Sequence, residues 1–271
     1  MNRVFLQIGP FTIYWYSVLI LTGVIIGYNI IMNYCKRLKF STSNIIDMLF
    51  YLVIWAIVGA RIYYVIFNFS VFEDDLLGIF KIWNGGLAIY GAIISGIIYI
   101  AYYCYKHKMN FIKVLDIFSL SLLLGQAIGR WGNFFNGEAY GGITSYSSLK
   151  ELMIPEFIIK GMYIDGAYRQ PTFLYESLWC LLGVIILFYI RRRYSHITGK
   201  QVCFYLMWYG VGRFFIEGLR SDSLYLGDFR ISQIVSIIMI IIGLVGNILI
   251  KYRKRRFPVK KDVVGGNDGR I

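Results

Sequence analysis

The chain has 271 residues, of which 58% are hydrophobic and only 16% are charged, whereas soluble domains carry about 25% charged residues. This composition, a mean hydropathy of +0.59 and apolar runs near the ~20 residues that span a bilayer exclude a water-soluble enzyme and predict an all-α integral membrane protein. The formal net charge of +13 would suggest nucleic acid binding in a soluble protein. In a membrane protein basic residues first report orientation, so we expect no nucleic acid partner.

Seven segments of the chain are predicted to form transmembrane helices. They cover residues 11–34, 44–67, 86–105, 114–135, 171–190, 200–217 and 231–250. The linkers after the first, third and fifth spans, together with the C-terminal tail, hold 18 of the 28 lysines and arginines. The positive-inside rule therefore places the N-terminus outside and the C-terminus in the cytoplasm. The first span is longer than a signal-peptide core, so we expect it to be retained.

We expect one membrane domain over residues 1–250. Its longest connection, 136–170, is predicted to lie outside and to carry a short interfacial helix over 149–162, where apolar residues are frequent enough to rest on the membrane surface. Residues 251–271 form a basic cytoplasmic tail, which is predicted to be disordered and to lie against anionic lipid of the inner leaflet.

Residue types that bind metals or act as nucleophiles are scarce on the predicted outer side. The cysteines and histidines lie within a span, at a cytoplasmic helix end or in a cytoplasmic linker: Cys35, Cys104, Cys180, Cys203, His107 and His196. The outer loop 68–85 carries Glu73, Asp74 and Asp75 but no histidine, which favours a solvated acidic loop over a metal site. We therefore expect no disulfide, no thiol nucleophile of the protein's own, no metal and no cofactor.

Charged residues inside the predicted spans are functional candidates, because each costs several kcal/mol unless it is paired or hydrated. The arginines of this kind all fall in the outer halves of their spans: Arg61, Arg130 and Arg213. On the sixth span, Tyr209, Arg213 and Glu217 recur every four residues and Arg220 follows three later, so they share one helix face. A structural Arg213–Glu217 ion pair explains this face as well as a functional site does.

The fourth predicted span ends in a polar run that helix packing does not require. The run contains Arg130, Asn133, Asn136 and Glu138. Guanidinium groups bind phosphate bidentately and stay charged when buried, so arginines with few nearby acids indicate an anion site. At the depth of the outer leaflet, the available phosphate belongs to a lipid headgroup.

The same run resembles the signature of the prolipoprotein diacylglyceryl transferases, bacterial enzymes that lipidate lipoprotein precursors. The matching motifs are Gly129-Arg-Trp-Gly-Asn-Phe-Phe-Asn-Gly-Glu138-Ala-Tyr-Gly141, Ile8-Gly-Pro10 with Trp15-Tyr16, Trp83-Asn-Gly-Gly86, Gln170-Pro-Thr-Phe-Leu-Tyr-Glu176, and Tyr209-Gly-Val-Gly-Arg213-Phe-Phe-Ile-Glu217-Gly-Leu-Arg220. The resemblance covers about residues 5–250. It implies a seven-helix fold in the bacterial cytoplasmic membrane, with an outside N-terminus and an active site toward the outer leaflet.

The resemblance also implies a reaction and a set of residues. The reaction is transfer of the sn-1,2-diacylglyceryl group from phosphatidylglycerol to the lipobox cysteine thiol of a prolipoprotein, which forms a thioether and releases glycerol phosphate. The family's essential residues fall on Tyr16, Arg130, Asn133, Glu138, Arg213 and Glu217, with Tyr209 and Arg220 in support. Tyr90 departs from the family, which commonly has at this position a histidine that is a candidate for activating the thiol.

Displacement at a glyceryl carbon leaves negative charge on the phosphate, so we expect Arg130 and Arg213 to bind it and stabilise the leaving group. Either Glu217 or Glu138 is expected to accept the thiol proton. A phenol is a poor base at neutral pH, so Tyr90 is expected to form a hydrogen bond with the substrate. The other residues expected to bind substrate are Tyr16, Asn133, Asn136, Tyr209 and Arg220.

Two other interpretations of the sequence remain open. A seven-helix transporter of an anionic lipid or solute would use the arginines as its binding site, although alternating access usually needs a midplane site and repeat-related broken helices. A relative that has lost catalysis would account for Tyr90, although the other motifs are fully retained.

Overall fold

The computed structural model describes residues 3–9, 11–73, 75–221 and 223–256, so most of the predicted tail lies outside the described residues. The described chain is mostly helical, as predicted. Its helices are α1 Trp15–Leu38, α2 Thr42–Phe67, α3 Ile89–Lys106, α4 Phe111–Asn136, α5 Tyr146–Glu151, α6 Glu156–Gly161, α7 Thr172–Tyr194, α8 Lys200–Leu219 and α9 Ile231–Arg256. Three short 3-10 turns, Phe69–Phe72, Leu76–Phe80 and Ile82–Asn84, lie between α2 and α3.

Five of the described helices, α1, α2, α4, α7 and α9, are long and apolar enough to cross a membrane. The remaining two long helices are less apolar, because α3 has five tyrosines among its 18 residues and α8 carries Lys200, Arg213 and Glu217. The crossing of the bilayer by all seven helices and the orientation of the termini stay predictions. The first helix begins four residues later than the predicted span, because Phe11–Tyr14 forms a strand.

The chain divides into two compact units, one formed by Val24–Ser121 and the other by Met1–Gly23 with Leu122–Ile271. The Val24–Ser121 unit has a core of fully buried side chains, which includes Cys35, Ile45, Met48, Val114 and Ile117. Its helices α2 and α3 approach closely at two glycines. A Cβ atom on Gly59 would lie 2.1 Å from Ser95 Oγ, and one on Gly91 would lie 2.3 Å from the Gly59 carbonyl oxygen.

Arg61 is a structural residue of the Val24–Ser121 unit. Its guanidinium donates hydrogen bonds to the carbonyl oxygens of Gly78 at 2.7 Å, Ile79 at 2.8 Å, Gly85 at 2.7 Å and Gly86 at 2.9 Å. It also lies 5.1 Å from the ring of Phe72. These contacts compensate for burying the charge. Arg61 therefore holds the segment 78–86 in place just before α3, at whose start Tyr90 lies.

The acidic loop between α2 and α3 contains an exposed ion pair. The ammonium group of Lys81 donates a hydrogen bond to Asp75 Oδ2 at 2.8 Å, and this bond lowers the pKa of the Asp75 carboxyl below its ordinary value. Of the residues that the structure describes, no three His, Cys, Asp or Glu side chains are grouped so that they could hold a metal ion. Asp74, one of the three acidic residues of this loop, lies outside the described residues.

The other unit begins with an antiparallel hairpin of β1 (Val4–Ile8) and β2 (Phe11–Tyr14), which leads directly into α1. Helix α8 packs against both α7 and α9. A three-stranded antiparallel sheet in the order β3-β5-β4 joins Ile143–Thr144, Ala167–Arg169 and Tyr163–Ile164. A second hairpin pairs β6 (Tyr225–Leu226) with β7 (Phe229–Arg230) before α9.

The connection 136–170 contains two short helices, α5 and α6, where the sequence predicts one interfacial helix over 149–162. Its residues Leu149, Ile158 and Ile159 are buried against Phe134 and Phe173 in a core of this unit. Within 149–162, the large apolar side chains that remain exposed are Leu152, Met153 and Phe157. Part of the segment's hydrophobicity thus serves packing within the protein, and its placement on the membrane surface stays a prediction.

Candidate functional site

A pair of tryptophans holds α7 and α8 together. Trp179 donates its indole N–H to the carbonyl oxygen of Trp208, and Trp208 donates to that of Trp179, both at 2.9 Å. The rings stack with centroids 4.3 Å apart. Each indole lies against a glycine of the other helix: a Cβ atom on Gly183 would lie 2.4 Å from Trp208, and one on Gly212 would lie 2.2 Å from Trp179. This reciprocal contact sets the register of the two helices at the level of the charged residues.

Glu176, on α7, lies at the centre of a buried charged cluster. Its Oε1 atom is 2.7 Å from Arg130 Nη2 on α4, and its Oε2 atom is 3.0 Å from Arg213 Nη1 on α8. Tyr209 donates its hydroxyl proton to Oε1 at 3.2 Å. The Glu176 side chain is only 3% exposed. One carboxylate thus connects three helices and offsets the cost of burying two guanidinium groups.

Glu217 supplies the second carboxylate of the cluster. Its Oε2 atom lies 2.7 Å from Arg213 Nη2 and 4.0 Å from Arg220 Nε, and its backbone carbonyl accepts a hydrogen bond from Arg230. The Arg213–Glu217 ion pair expected from the four-residue spacing is therefore present. The three arginines 130, 213 and 220 against glutamates 176 and 217 leave the cluster with one net positive charge.

A chain of hydrogen bonds leads from the ion-paired cluster through neutral Asn133 to Glu138, which lies outside it. Arg130 Nη1 donates to Asn133 Oδ1 at 3.2 Å, and Asn133 Nδ2 donates to Glu138 Oε1 at 3.0 Å. Asn136 Nδ2 donates to the same carboxylate oxygen at 3.1 Å. Helix α4 ends at Asn136, and Gly137 follows with φ +66°. Glycine adopts this left-handed conformation without strain, so the chain turns and brings Glu138 back to the helix end.

Tyr16 and Glu138 line a cavity of about 500 Å³ together with Arg3 and Asn136. The Tyr16 ring packs on Gly132 of α4, where a Cβ atom would lie 2.6 Å from the ring. The first turn of α1 and the last turn of α4 therefore form walls of the cavity. Its volume falls within the range of roughly 300–1,000 Å³ that is typical of small-molecule sites.

The structure corrects one inference from the sequence. Arg130 and Arg213 were expected to have few nearby acids, but both are paired with Glu176, and Arg213 is also paired with Glu217. Burial is the physical reason, because guanidinium groups that are only 19% and 15% exposed need counter-charges. The site is therefore a balanced cluster with a small positive excess rather than a set of unpaired arginines.

Comparison with known proteins agrees with the family that the motifs resemble. A family model described as prolipoprotein diacylglyceryl transferase matches residues 3–249. The chain belongs to this family. It is 49% identical over 242 residues to the phosphatidylglycerol–prolipoprotein diacylglyceryl transferase of Halalkalibacterium halodurans. The aligned region covers 89% of this chain and 83% of that relative. Relatives of the same name match from Streptococcus uberis (47% over 258 residues, 95% and 98% covered) and Staphylococcus saprophyticus (45% over 254 residues, 93% and 91% covered).

In this member of the prolipoprotein diacylglyceryl transferase family, one compact unit contains all the predicted site residues except Tyr90. They are Tyr16, Arg130, Asn133, Asn136, Glu138, Tyr209, Arg213, Glu217 and Arg220. Tyr90 is the second residue of α3, is half-buried and belongs to the other unit. Glu176 was not among the predicted site residues. The signal that could have found it is that it is the sole acidic residue of the predicted span 171–190.

Proposed function

We propose that this chain transfers the sn-1,2-diacylglyceryl group of phosphatidylglycerol to the lipobox cysteine of a prolipoprotein. Its family and the name shared by its relatives, phosphatidylglycerol–prolipoprotein diacylglyceryl transferase, support this reaction. The observation that carries the proposal is the Arg130–Glu176–Arg213 cluster of a membrane protein. A buried cluster with a positive excess suits the phosphate of an anionic lipid.

The proposal places the protein in the bacterial cytoplasmic membrane, with seven transmembrane helices, the N-terminus outside and the C-terminus in the cytoplasm. The excess of lysine and arginine in the predicted cytoplasmic segments supports this orientation. Arg130 lies near the end of α4 and Arg213 in the last third of α8. With this orientation both helix ends face the outer leaflet, where the headgroup of the lipid donor lies.

In the proposed reaction, the cysteine sulfur attacks the glyceryl carbon that carries the phosphate ester. The new S–C bond forms as the C–O bond breaks, and the electron pair of that bond goes to the phosphate oxygen of the leaving glycerol phosphate. Arg130 and Arg213 stabilise the charge on the leaving group. A guanidinium has five N–H donors, so the bonds of Arg130 to Glu176 and Asn133 leave donors for a phosphate oxygen.

The thiol proton must pass to a base, and we assign this role to Glu138. Glu138 lines the cavity of about 500 Å³, and its carboxylate accepts hydrogen bonds from the amides of Asn133 and Asn136. The Glu217 side chain is 2% exposed and forms an ion pair with Arg213 at 2.7 Å. This contact suits Glu217 to hold the arginine in place. Tyr16 lines the same cavity and binds the headgroup or the peptide by a hydrogen bond.

The proposal is tested with the purified full-length protein in phosphatidylglycerol vesicles and a synthetic lipobox peptide. Mass spectrometry should show a diacylglyceryl group on the peptide cysteine. Arg130→Ala should abolish the product, Tyr90→Phe should keep substantial activity, and Lys150→Gln, an exposed external residue, should match the wild type.

Activity in Arg130→Ala together with loss of activity in Tyr90→Phe would contradict the assigned roles. The absence of a thioether product from the wild-type protein, with uptake of an anionic solute into the vesicles, would instead indicate a transporter.

A further inference from the structure

Arg3 lies beside the candidate site although it precedes every motif that the sequence shares with the family. The hairpin β1–β2 folds back so that the Arg3 carbonyl accepts a hydrogen bond from the backbone N–H of Trp15, at the start of α1, at 3.1 Å. This brings Arg3 next to the turn that follows α4. A Cβ atom on Gly137, at the centre of that turn, would lie 3.9 Å from Arg3 Nη2.

Two cavities meet at Arg3. The cavity of about 500 Å³ is lined by Arg3, Tyr16, Asn136 and Glu138 among others. A smaller cavity, of about 180 Å³, is lined by Arg3 and Asn136 and by apolar residues of α4 and of the connection 136–170. Arg3 therefore borders the same space as Glu138, the residue that we assign as the base.

Arg3 differs from Arg130 and Arg213 in that no carboxylate of the described residues pairs with its guanidinium. Among residues 3–9, 11–73, 75–221 and 223–256, its guanidinium has neither an ion pair nor a hydrogen bond. Arg130 and Arg213, by contrast, share Glu176. An uncompensated guanidinium that borders a cavity is a preferred contact for an anion, since its fork of N–H groups matches phosphate oxygens.

We propose that Arg3 binds the phosphate ester of the glycerol headgroup in this cavity. The inference rests on the proposed function, in which the donor phosphate carries one negative charge as a diester and the departing glycerol phosphate carries two as a monoester. The buried cluster has an excess of only one positive charge. Arg3 supplies a further positive charge for the second negative charge that appears when the C–O bond breaks.

The test uses the full-length protein in nanodiscs of zwitterionic lipid and measures binding of free glycerol phosphate by calorimetry. Arg3→Gln should weaken binding roughly tenfold, the lower end of what a charge-assisted hydrogen bond contributes. Arg3→Lys should keep most of the affinity, because it retains the charge. Lys160→Gln, whose side chain is 71% exposed, is the matched control and should bind as the wild type does.

A second arm distinguishes the lipid-borne phosphate from the released one. The initial rate of peptide lipidation is measured against the mole fraction of phosphatidylglycerol. A KM raised roughly tenfold in Arg3→Gln, within the same range for a charged contact, means that Arg3 already binds the diester. Weaker binding of glycerol phosphate with an unchanged KM means that it binds the leaving group alone.

Either of these two results supports the proposal. Arg3→Gln with wild-type affinity for glycerol phosphate and wild-type KM overturns it, as does a wild-type protein that binds no glycerol phosphate. If the wild-type protein binds glycerol phosphate but forms no thioether, the proposed function fails while the binding data still decide the role of Arg3. Thermal unfolding of each variant shows that a change in binding does not come from misfolding.

Discussion

Replacing Glu176 with glutamine removes the negative charge between Arg130 and Arg213 but keeps the shape of the side chain. The carboxylate lies 2.7 Å and 3.0 Å from the two guanidinium groups and is 3% exposed. Two unit charges about 4 Å apart attract by about 4 kcal/mol at an effective dielectric constant of about 20. Removing one partner of a buried ion pair costs about 3–5 kcal/mol. We expect Glu176→Gln to lower the free energy of unfolding by a similar amount.

The measurement is thermal unfolding of the purified protein in detergent, with the rate of peptide lipidation determined alongside. A loss of about 3–5 kcal/mol corresponds to a Tm lower by roughly 6–20 °C for a chain of this length. The lipidation rate should fall as well, because both guanidinium groups lose the anion that orients them. Glu156→Gln is the control, since its exposed pair with Lys160 at 3.4 Å contributes at most about 1 kcal/mol. Equal Tm values for the two variants would refute the bridging role of Glu176.

Two further predictions concern contacts that hold local structure in place, one in each compact unit. Gly212→Ala should displace the stacked indoles and lower the lipidation rate, because the new methyl group would lie 2.2 Å from Trp179. Near-ultraviolet circular dichroism reports the stacking of the indoles. Gly218→Ala is the control: its methyl group would lie 3.8 Å from the nearest atom, Gln233 Nε2, so neither the circular dichroism nor the lipidation rate should change. Arg61→Leu should speed hydrogen exchange in residues 78–86, because the carbonyl oxygens that Arg61 satisfies lose their donor. Unchanged exchange there would show that the loop does not depend on Arg61.

The sequence by itself determined the class of protein, the helical fold and the family. These follow from properties that are local in the chain: the length of apolar runs and the motifs around Arg130 and Arg213. The spacing of four residues also predicted the Arg213–Glu217 pair, because both residues lie on one helix. Local signals of this kind do not depend on how the helices pack.

Only the tertiary structure decided what each buried charge contacts. Arg61 and Arg130 look alike in the sequence, yet Arg61 binds backbone carbonyls of a nearby loop while Arg130 binds Glu176 on a different helix. The bridge from Glu176 to Arg213 joins residues 37 positions apart, and the tryptophan pair fixes the register that allows it. Arg3 reaches the cavity because a hairpin folds it back onto α1. Partners brought together from distant parts of the chain leave no periodic pattern in the sequence, and packing alone selects them.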